Sequence, residues 1–356
     1  MIKAFKKSSK SINYIESLRG KRATFMLALA NSKTANIKGI SQAGIDGLLH
    51  LTPTLDCEFL ATGSIFSIDE IAKTDSGIPS PALITRAIHE LNPFNLEFLD
   101  LGIEKKPKIE YFDIFDFKLK PSDRIDENAK IDSHSIFEKA INFANDYELK
   151  SDYLIIAETI PSGTTTAEAS ARALGYDTKG LYASSFSKAP KDIKRKTIDR
   201  ALLNISNDLD VFDRLSSVSD NMLIFYAGFI IGLSKKCRVI LAGGTQLATV
   251  LLIINSILKE DKFTFSPENL ALITTKWIYE DKHSDIEALL ELLDFEVFGY
   301  YSDFDFSKSR FDILKKYDSG EAKEGVGAGG ALGYASLNGI SNESILESIE
   351  NILERF

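Results

Sequence analysis

The stretch "KEGVGAGGAL" sets one carboxylate, Glu324, at the lip of bare backbone, because four glycines follow it within six residues. Glycine in such a place either relieves strain or lets a ligand approach the main chain. A carboxylate enclosed by such a loop loses solvation. Its pKa rises and it becomes a better proton acceptor near neutral pH. The same loop contains Gly-x-Gly-x-x-Gly at Gly325, Gly327 and Gly330. Context excludes a dinucleotide site. "KKYDSGEAK" precedes the loop in place of an apolar strand, and the chain ends in "ESILESIENILERF" with no acidic strand to follow. What stays is a glycine loop able to lie against a flat ligand, with Glu324 placed to take a proton.

A second constellation is "IIAETIPSGTTTAEASARALGY". An apolar strand ends at Ala157. Glu158, a turn with Pro161, Ser162 and Gly163, and the run Thr164, Thr165, Thr166 then open a helix. Strand, glycine turn and helix start together present free N–H groups and a helix dipole to an anion. The residues fit a phosphate or ribose-phosphate cradle with Glu158 beside it, and they also fit an ordinary helix cap. The Gly-Lys-Ser/Thr ending of a Walker loop is absent. "VILAGGTQLATVLLI" repeats the pattern with Gly243, Gly244 and Thr245, where the glycines serve either a ligand or close helix–strand packing. "KAPKDIKRKTIDRAL" supplies Lys188, Lys191, Lys194, Arg195 and Lys196. Helical spacing puts Lys191, Lys194 and Arg195 on one side, either as a solvated face or within reach of a phosphate.

These loops need a frame. Apolar runs that read as strands begin at Arg22, Cys57, Leu96, Asp152, Arg238, Leu270 and Phe295. Several are apolar on both faces, as strands covered by helices on both sides are. Between them lie helical patterns such as "PSPALITRAIHEL", with Ser80 as cap and Pro81 in the first turn, and "SHSIFEKAINFANDYEL", "TTTAEASARAL", "KRKTIDRALLNI", "TQLATVLLIINSILK" and "SDIEALLELL". The alternation predicts an α/β fold: a three-layer α/β/α, mostly parallel, Rossmann-like sheet. Residues 22–300 form its nucleotide-binding core. Residues 1–21 plus 301–356 lack strong strand patterns and are expected to form a small helical lobe carrying the Glu324 loop. The polar stretch 118–132 reads as a surface excursion.

The bulk numbers narrow the partners. The 356 residues carry a net charge of −9, with acidic groups spread throughout, which argues against nucleic acid and anionic membranes. The apolar run Met222–Leu233 has only 12 residues, against about 20 for a bilayer span, and reads as a buried helix. The basic amino-terminal stretch lacks the apolar core of a signal peptide. Cys57 and Cys237 sit in apolar runs and read as reduced core thiols of a cytoplasmic protein. His50, His89, His134 and His283 share no metal spacing.

Taken in order, "AETIPSGTTTA", "KRKTIDRAL", "AGFIIGLSKKCRVILAGGTQLATVLL" and "KEGVGAGGAL" resemble the nicotinate-nucleotide:dimethylbenzimidazole phosphoribosyltransferases. "FMLALANSKTANIKGISQAGI" and "SGIPSPALITRAIHEL" resemble the branch of that family first catalogued in archaea. The resemblance spans roughly Arg22 to Leu332. It implies an α/β/α fold with a small helical lobe, a homodimer, and no metal or redox cofactor. The implied reaction moves the 5-phosphoribosyl group from nicotinate mononucleotide to a benzimidazole nitrogen, releasing nicotinate and giving an α-ribazole phosphate for the nucleotide loop of cobamides. By the same resemblance Glu324 is the catalytic glutamate and Glu158 the acidic residue heading the phosphate loop. Ser162, Gly163, Thr164 and Thr165 wrap the mononucleotide. Lys194, or the nearby Lys196, meets phosphate, and Thr275 lies near a phosphate-contacting position. Gly243, Gly244, Gly325 and Gly327 complete the substrate-binding set. Three loops depart from the bacterial pattern: "IPSG" stands for Gly-Ile-Gly-Asn, Ala242–Gly244 for Asp-Gly-Phe, and "ANSK" for an Asp-His-Gly.

This chemistry needs a single base. The pyridine leaves as a neutral ring, while the incoming azole must lose its N–H proton, unlike the paired carboxylates of glycoside hydrolysis. Two further readings stand beside it: a non-catalytic nucleotide-binding or sensing protein of the same fold, and a phosphoribosyltransferase with another acceptor base.

Overall fold

The computed structural model describes residues 1–68, 73–74, 77–184, 186, 191–203, 205–206 and 208–356, and for Lys191 the backbone alone. Eight strands form one sheet: β1 (Ile2–Ala4), β2 (Ala23–Leu29), β3 (Asn95–Asp100), β4 (Asp113–Asp116), β5 (Tyr153–Thr159), β6 (Val239–Ala242), β7 (Leu270–Thr275) and β8 (Phe298–Ser302). Their order is β1-β8-β7-β6-β5-β2-β3-β4, parallel throughout except for β1, which runs antiparallel to β8.

The strands are apolar on both faces because both faces are covered. Side chains alternate along each strand. Met26, Ala28, Leu154 and Ile156 therefore enter one core, and Phe25, Leu27, Tyr153 and Ile155 the other. The first core is closed by the helices Ser133–Asp146, Gly163–Ala173, Asn221–Leu233 and Thr245–Glu260. The second is closed by Ser9–Glu16, Thr52–Thr62, Ala82–Leu91, Ala328–Leu337 and Asn342–Leu353. This is the expected three-layer α/β/α arrangement. The Met222–Leu233 run is a helix buried within the first layer, and no helix among the described residues is long and apolar enough to cross a membrane.

From β2 the chain runs outward through β3 and β4. It then returns to the other side of β2 at β5 and runs outward the opposite way through β6, β7 and β8. The connections diverge between β2 and β5, so a crevice opens beyond the carboxyl ends of these two strands. Open α/β sheets bind ligands in such crevices.

Several expectations are corrected. The run from Cys57, expected as a strand, belongs to the helix Thr52–Thr62, buried on nearly all sides. A short run that is apolar all round has no period to separate helix from strand. Pro53 in its first turn and Gly63 at φ +75 after its last residue are the helix signals. β1 and β4 escaped notice because both are short, and β4 ("DIFD") is half acidic. The amino terminus, expected to be helical, contributes β1 to the sheet edge. The helix Ala328–Leu337 lies on β6, β7 and β8, and Asn342–Leu353 packs on Ala82–Leu91. The stretch 118–132 is partly buried, with Ile125 and Ala129 in a small core against the helices Gly163–Ala173 and Lys191–Leu202. Cys57 is buried, Cys237 is half-buried, and both are free thiols.

Candidate active site

A cleft of about 900 Å³, counting its open mouth, occupies the switch point. Its walls come from residues 41–44, Thr52 and Asp56, residues 158–164, 183–184, 244–246 and 322–326, with Lys73, Thr74, Ser80, Pro81 and Ile278. Segments from both ends of the chain and from its middle therefore meet at one place.

Glu324 is the most tightly held group in the cleft. Its Oε2 accepts from the Thr275 N–H at 3.0 Å and the Thr274 hydroxyl at 3.3 Å. Its Oε1 accepts from the N–H groups of Gly325 at 3.1 Å and Gly329 at 3.2 Å. Burial pushes its pKa up to about 7, and the three backbone N–H donors with the Thr274 hydroxyl hold it from going higher. The longest bond comes from a hydroxyl, which rotates freely.

Glu158, the last residue but one of β5, lies beside Glu324. The Val326 N–H donates to the Glu158 carbonyl at 3.0 Å and ties the two loops together. Burial, and then the neighbouring carboxylates Glu324, Asp220 and Asp56, push the Glu158 carboxyl up to about 8, against a lowering bond from the Ile160 N–H. Asp220 is held by the Thr166 hydroxyl at 2.5 Å, and burial raises it to about 6. The cleft is thus carboxylate-rich and favours a cationic centre.

A further part of the wall is a cradle of donors. The helices Gly163–Ala173 and Thr245–Glu260 both begin at the cleft, with Ser162 and Gly244 at their starts. The hydroxyls of Ser162 and Thr245, two residues that line this part of the cleft, are buried and have no hydrogen-bond partner in the protein, and neither has the Thr165 hydroxyl one turn along the helix. Buried hydroxyls are normally paired. Three orphans beside two helix starts fit the oxygens of an anion.

Backbone strain collects here as well. Ser162, Ala322 and Val326 hold φ of +65°, +48° and +50°, and all three line the cleft. For a β-branched residue such as Val326 this region costs about 1–3 kcal/mol. Its N–H bond to Glu158 and the Thr85 hydroxyl on its carbonyl at 2.8 Å hold it there.

Of the site residues named from the sequence, Glu324, Glu158, Ser162, Gly163, Thr164, Gly244 and Gly325 line the cleft. Thr165 lies one turn behind them. Thr275 does not reach it. Its N–H holds Glu324 and its hydroxyl donates to the Lys323 carbonyl at 2.5 Å, so it positions the loop. Gly327 and Gly243 are packing residues. A Cβ on Gly327 would come within 2.6 Å of Ala157 Cβ, and one on Gly243 within 2.9 Å of Leu247 Cδ1. Gly329 and Gly330 are pressed equally hard on Thr274 and Ala242. Most of the glycines after Glu324 therefore seat a helix directly on the sheet, and only Gly325 faces the cavity.

Lys194 does not itself line the cleft. It is buried just behind it, with Nζ 3.1 Å from Glu168, 3.5 Å from the carbonyl of the cleft residue Ala183 and over the Tyr182 ring, and burial lowers its pKa. Arg195 pairs with Asp192 on the surface, Lys196 is exposed, and Lys188 lies outside the described residues. Among the described residues, the lysines that line the cleft are Lys73 and Lys323. Lys323 spans to the carbonyls of Ser184 and Phe186 at 3.0 and 3.2 Å and to Asp281 at 3.1 Å. Asp56, Thr159, Lys323 and Gln246 were not singled out from the sequence. Asp56 was hidden in the misread Cys57 run, and Lys323 carries no signal except its place before Glu324.

No family model matches the chain. The chain is 37% identical over 360 residues to the UPF0284 protein of Sulfolobus acidocaldarius, covering 97% of this chain and 99% of that one. It is 34% identical over 337 residues to the UPF0284 protein of Sulfurisphaera tokodaii, with 94% of each covered. The chain belongs to the UPF0284 family. Among solved structures, the nicotinate-nucleotide-dimethylbenzimidazole phosphoribosyltransferase of Thermus thermophilus matches at a TM-score of 0.61, over 97% of this chain and 92% of that one, at 14% identity. A CobT structure from the same organism matches at 0.61 over 96% and 92%. At this identity the likeness establishes the fold. This UPF0284 chain has the α/β/α architecture of those structures, as its loop resemblance implied.

Proposed function

We propose that this UPF0284 chain is a phosphoribosyltransferase that moves the 5-phosphoribosyl group of nicotinate mononucleotide to a ring nitrogen of a benzimidazole-type base. The observation that carries the reading is one carboxylate, Glu324, fixed by four donors in a switch-point cleft that also holds two helix starts with three orphaned hydroxyls. The donor phosphate lies on the Ser162–Thr165 turn and the start of the Thr245 helix. The pyridinium and C1′ lie beside Glu158 and Glu324, carboxyl groups that favour a cationic centre and the positive charge that grows at C1′. One azole nitrogen attacks C1′ as the C1′–N bond to nicotinate breaks. That bond's electron pair returns to the pyridine nitrogen, and Glu324 takes the proton from the azole N–H. Attack opposite the leaving group inverts C1′ and yields the α-ribazole phosphate used in cobamide assembly. In this reading the partners are small molecules, no cofactor is required, and the protein is a cytoplasmic homodimer, which light scattering tests.

The same geometry offers one point to a non-catalytic nucleotide sensor: all four acceptor positions of Glu324 are already filled. Incubation with nicotinate mononucleotide and a panel of azole acceptors separates the two. Chromatographic release of nicotinate that depends on the acceptor supports the transferase. Tight nucleotide binding with no release from any acceptor supports the sensor.

A further inference from the structure

The acceptor end of the cleft is closed by a polar relay that the transfer chemistry does not use. Gly325, next to Glu324, abuts Pro81, and a Cβ on that glycine would lie 3.4 Å from Pro81 Cγ. Ser80 precedes Pro81, and its hydroxyl donates to Asp56 Oδ1 at 2.6 Å. Thr159, which follows Glu158, donates to Asp56 Oδ2 at 2.7 Å. Asp56 therefore stands between the two acidic loops, on the helix that faces them. It is 2% exposed and lines the cleft. Next to it is a small apolar recess walled by Phe59, Ile65, Ala82 and Leu83, which shares Asp56 and Ser80 with the cleft.

Resting on the transferase reading, we infer that Asp56 selects the acceptor: a planar imidazole-containing heterocycle whose six-membered ring carries an amino group, as an aminopurine does, in preference to one carrying methyl groups. A ring with its imidazole edge at Glu324 and its face along Pro81 turns its far edge toward Ser80 and Asp56. A carboxylate has about four acceptor positions, and hydroxyls occupy one on each oxygen here. When the acceptor fills the cleft and expels water, the remaining positions need donors. An exocyclic amino group supplies them, whereas a methylated edge leaves the remaining acceptor positions of a buried carboxylate unmet. Sites built to hydrogen-bond a substrate group reject analogues lacking it far more strongly than apolar pockets reject a misfitting methyl. The apolar recess that would suit methyl groups lies next to Asp56, out of reach.

The test compares adenine with 5,6-dimethylbenzimidazole as acceptors at saturating nicotinate mononucleotide, in wild type, Asp56→Ala and Asp56→Leu. Leucine preserves volume if alanine does not fold. Wild type is expected to prefer adenine by at least about 100-fold in kcat/KM. Either substitution removes that preference, and alanine raises use of dimethylbenzimidazole by joining the cleft to the recess. Equal use of both bases by wild type, or an equal loss for both in the variants, overturns the inference. Calorimetric titration of the protein saturated with nicotinate mononucleotide supplies a second readout. If no acceptor releases nicotinate, the transferase reading fails, yet adenine binding that weakens about 100-fold in Asp56→Leu still upholds the selection. Unchanged binding refutes it.

Discussion

Replacing Glu324 by glutamine is the sharpest perturbation this cleft allows. Glutamine keeps the shape but turns one acceptor oxygen into a donor. Oε1 faces two backbone N–H groups, Gly325 and Gly329, which cannot turn away. Oε2 faces one backbone N–H, Thr275, and the rotatable Thr274 hydroxyl. The amide nitrogen therefore settles on the Thr274 side and leaves the Thr275 N–H unmatched, at a cost of about 1–3 kcal/mol. That lowers Tm by a few degrees without unfolding the chain. The catalytic loss is larger. Removing a general base costs about 10²–10⁴ in rate, or about 3–5 kcal/mol of barrier. Nicotinate release under saturating donor and acceptor should fall by that factor, while calorimetric affinity for nicotinate mononucleotide stays within about threefold, since the phosphate cradle is untouched. The wild-type kcat/KM should rise about tenfold per pH unit and level off above about pH 7, where Glu324 ionises. A glutamine variant turning over within about tenfold of wild type, or a flat profile from pH 5.5 to 8, would refute Glu324 as the base.

Other outcomes follow from the same contacts. Removing the orphaned hydroxyls with Ser162→Ala or Thr165→Ala should weaken nicotinate mononucleotide binding about 5- to 10-fold with little change in Tm, as read by calorimetry and thermal melts. Lys194→Met should leave nucleotide affinity unchanged but destabilise the fold by about 3 kcal/mol in urea, because it strands Glu168. Gly329→Ala drives a methyl group into the Thr274–Thr275 backbone, and should lower stability by about 3 kcal/mol or abolish soluble expression. Glu158, Glu324, Asp56 and Asp220 are all raised, so the folded state binds more protons than the unfolded one at these sites. Their contribution is complete near pH 4 and is lost as pH rises through about 6 to 8, opposed only in part by His89, which burial lowers to about 4. The ligand-free protein should therefore be less stable to urea at pH 8 than at pH 5.5, and a rise instead would contradict these environments.

Six of the seven strand runs were legible because each is a short apolar segment closed by turn residues, and Glu158 and Glu324 were legible because each sits at a glycine-bearing loop before a helix. Other features depended on partners far away in the chain. Nothing around Lys194 announces Glu168 as its counter-ion. Nothing in "EGVGAGG" tells a ligand from a helix seated on Thr274 and Ala242, and the Cβ clearances decide for the helix. Asp56 was unreadable for a related reason: a buried acid in an apolar run is explained only by the Ser80 and Thr159 hydroxyls, 24 and 103 residues away.

The pairing of Ile2–Ala4 with Phe298–Ser302 has a consequence for biogenesis. The segment Ile2–Ala4 docks on a strand that is made much later in the chain, and so waits through much of translation. Until it docks, β8 offers an open row of N–H and C=O groups, the kind of border along which nascent chains stick to one another. Closing it last, across such a sequence distance, is a slow step.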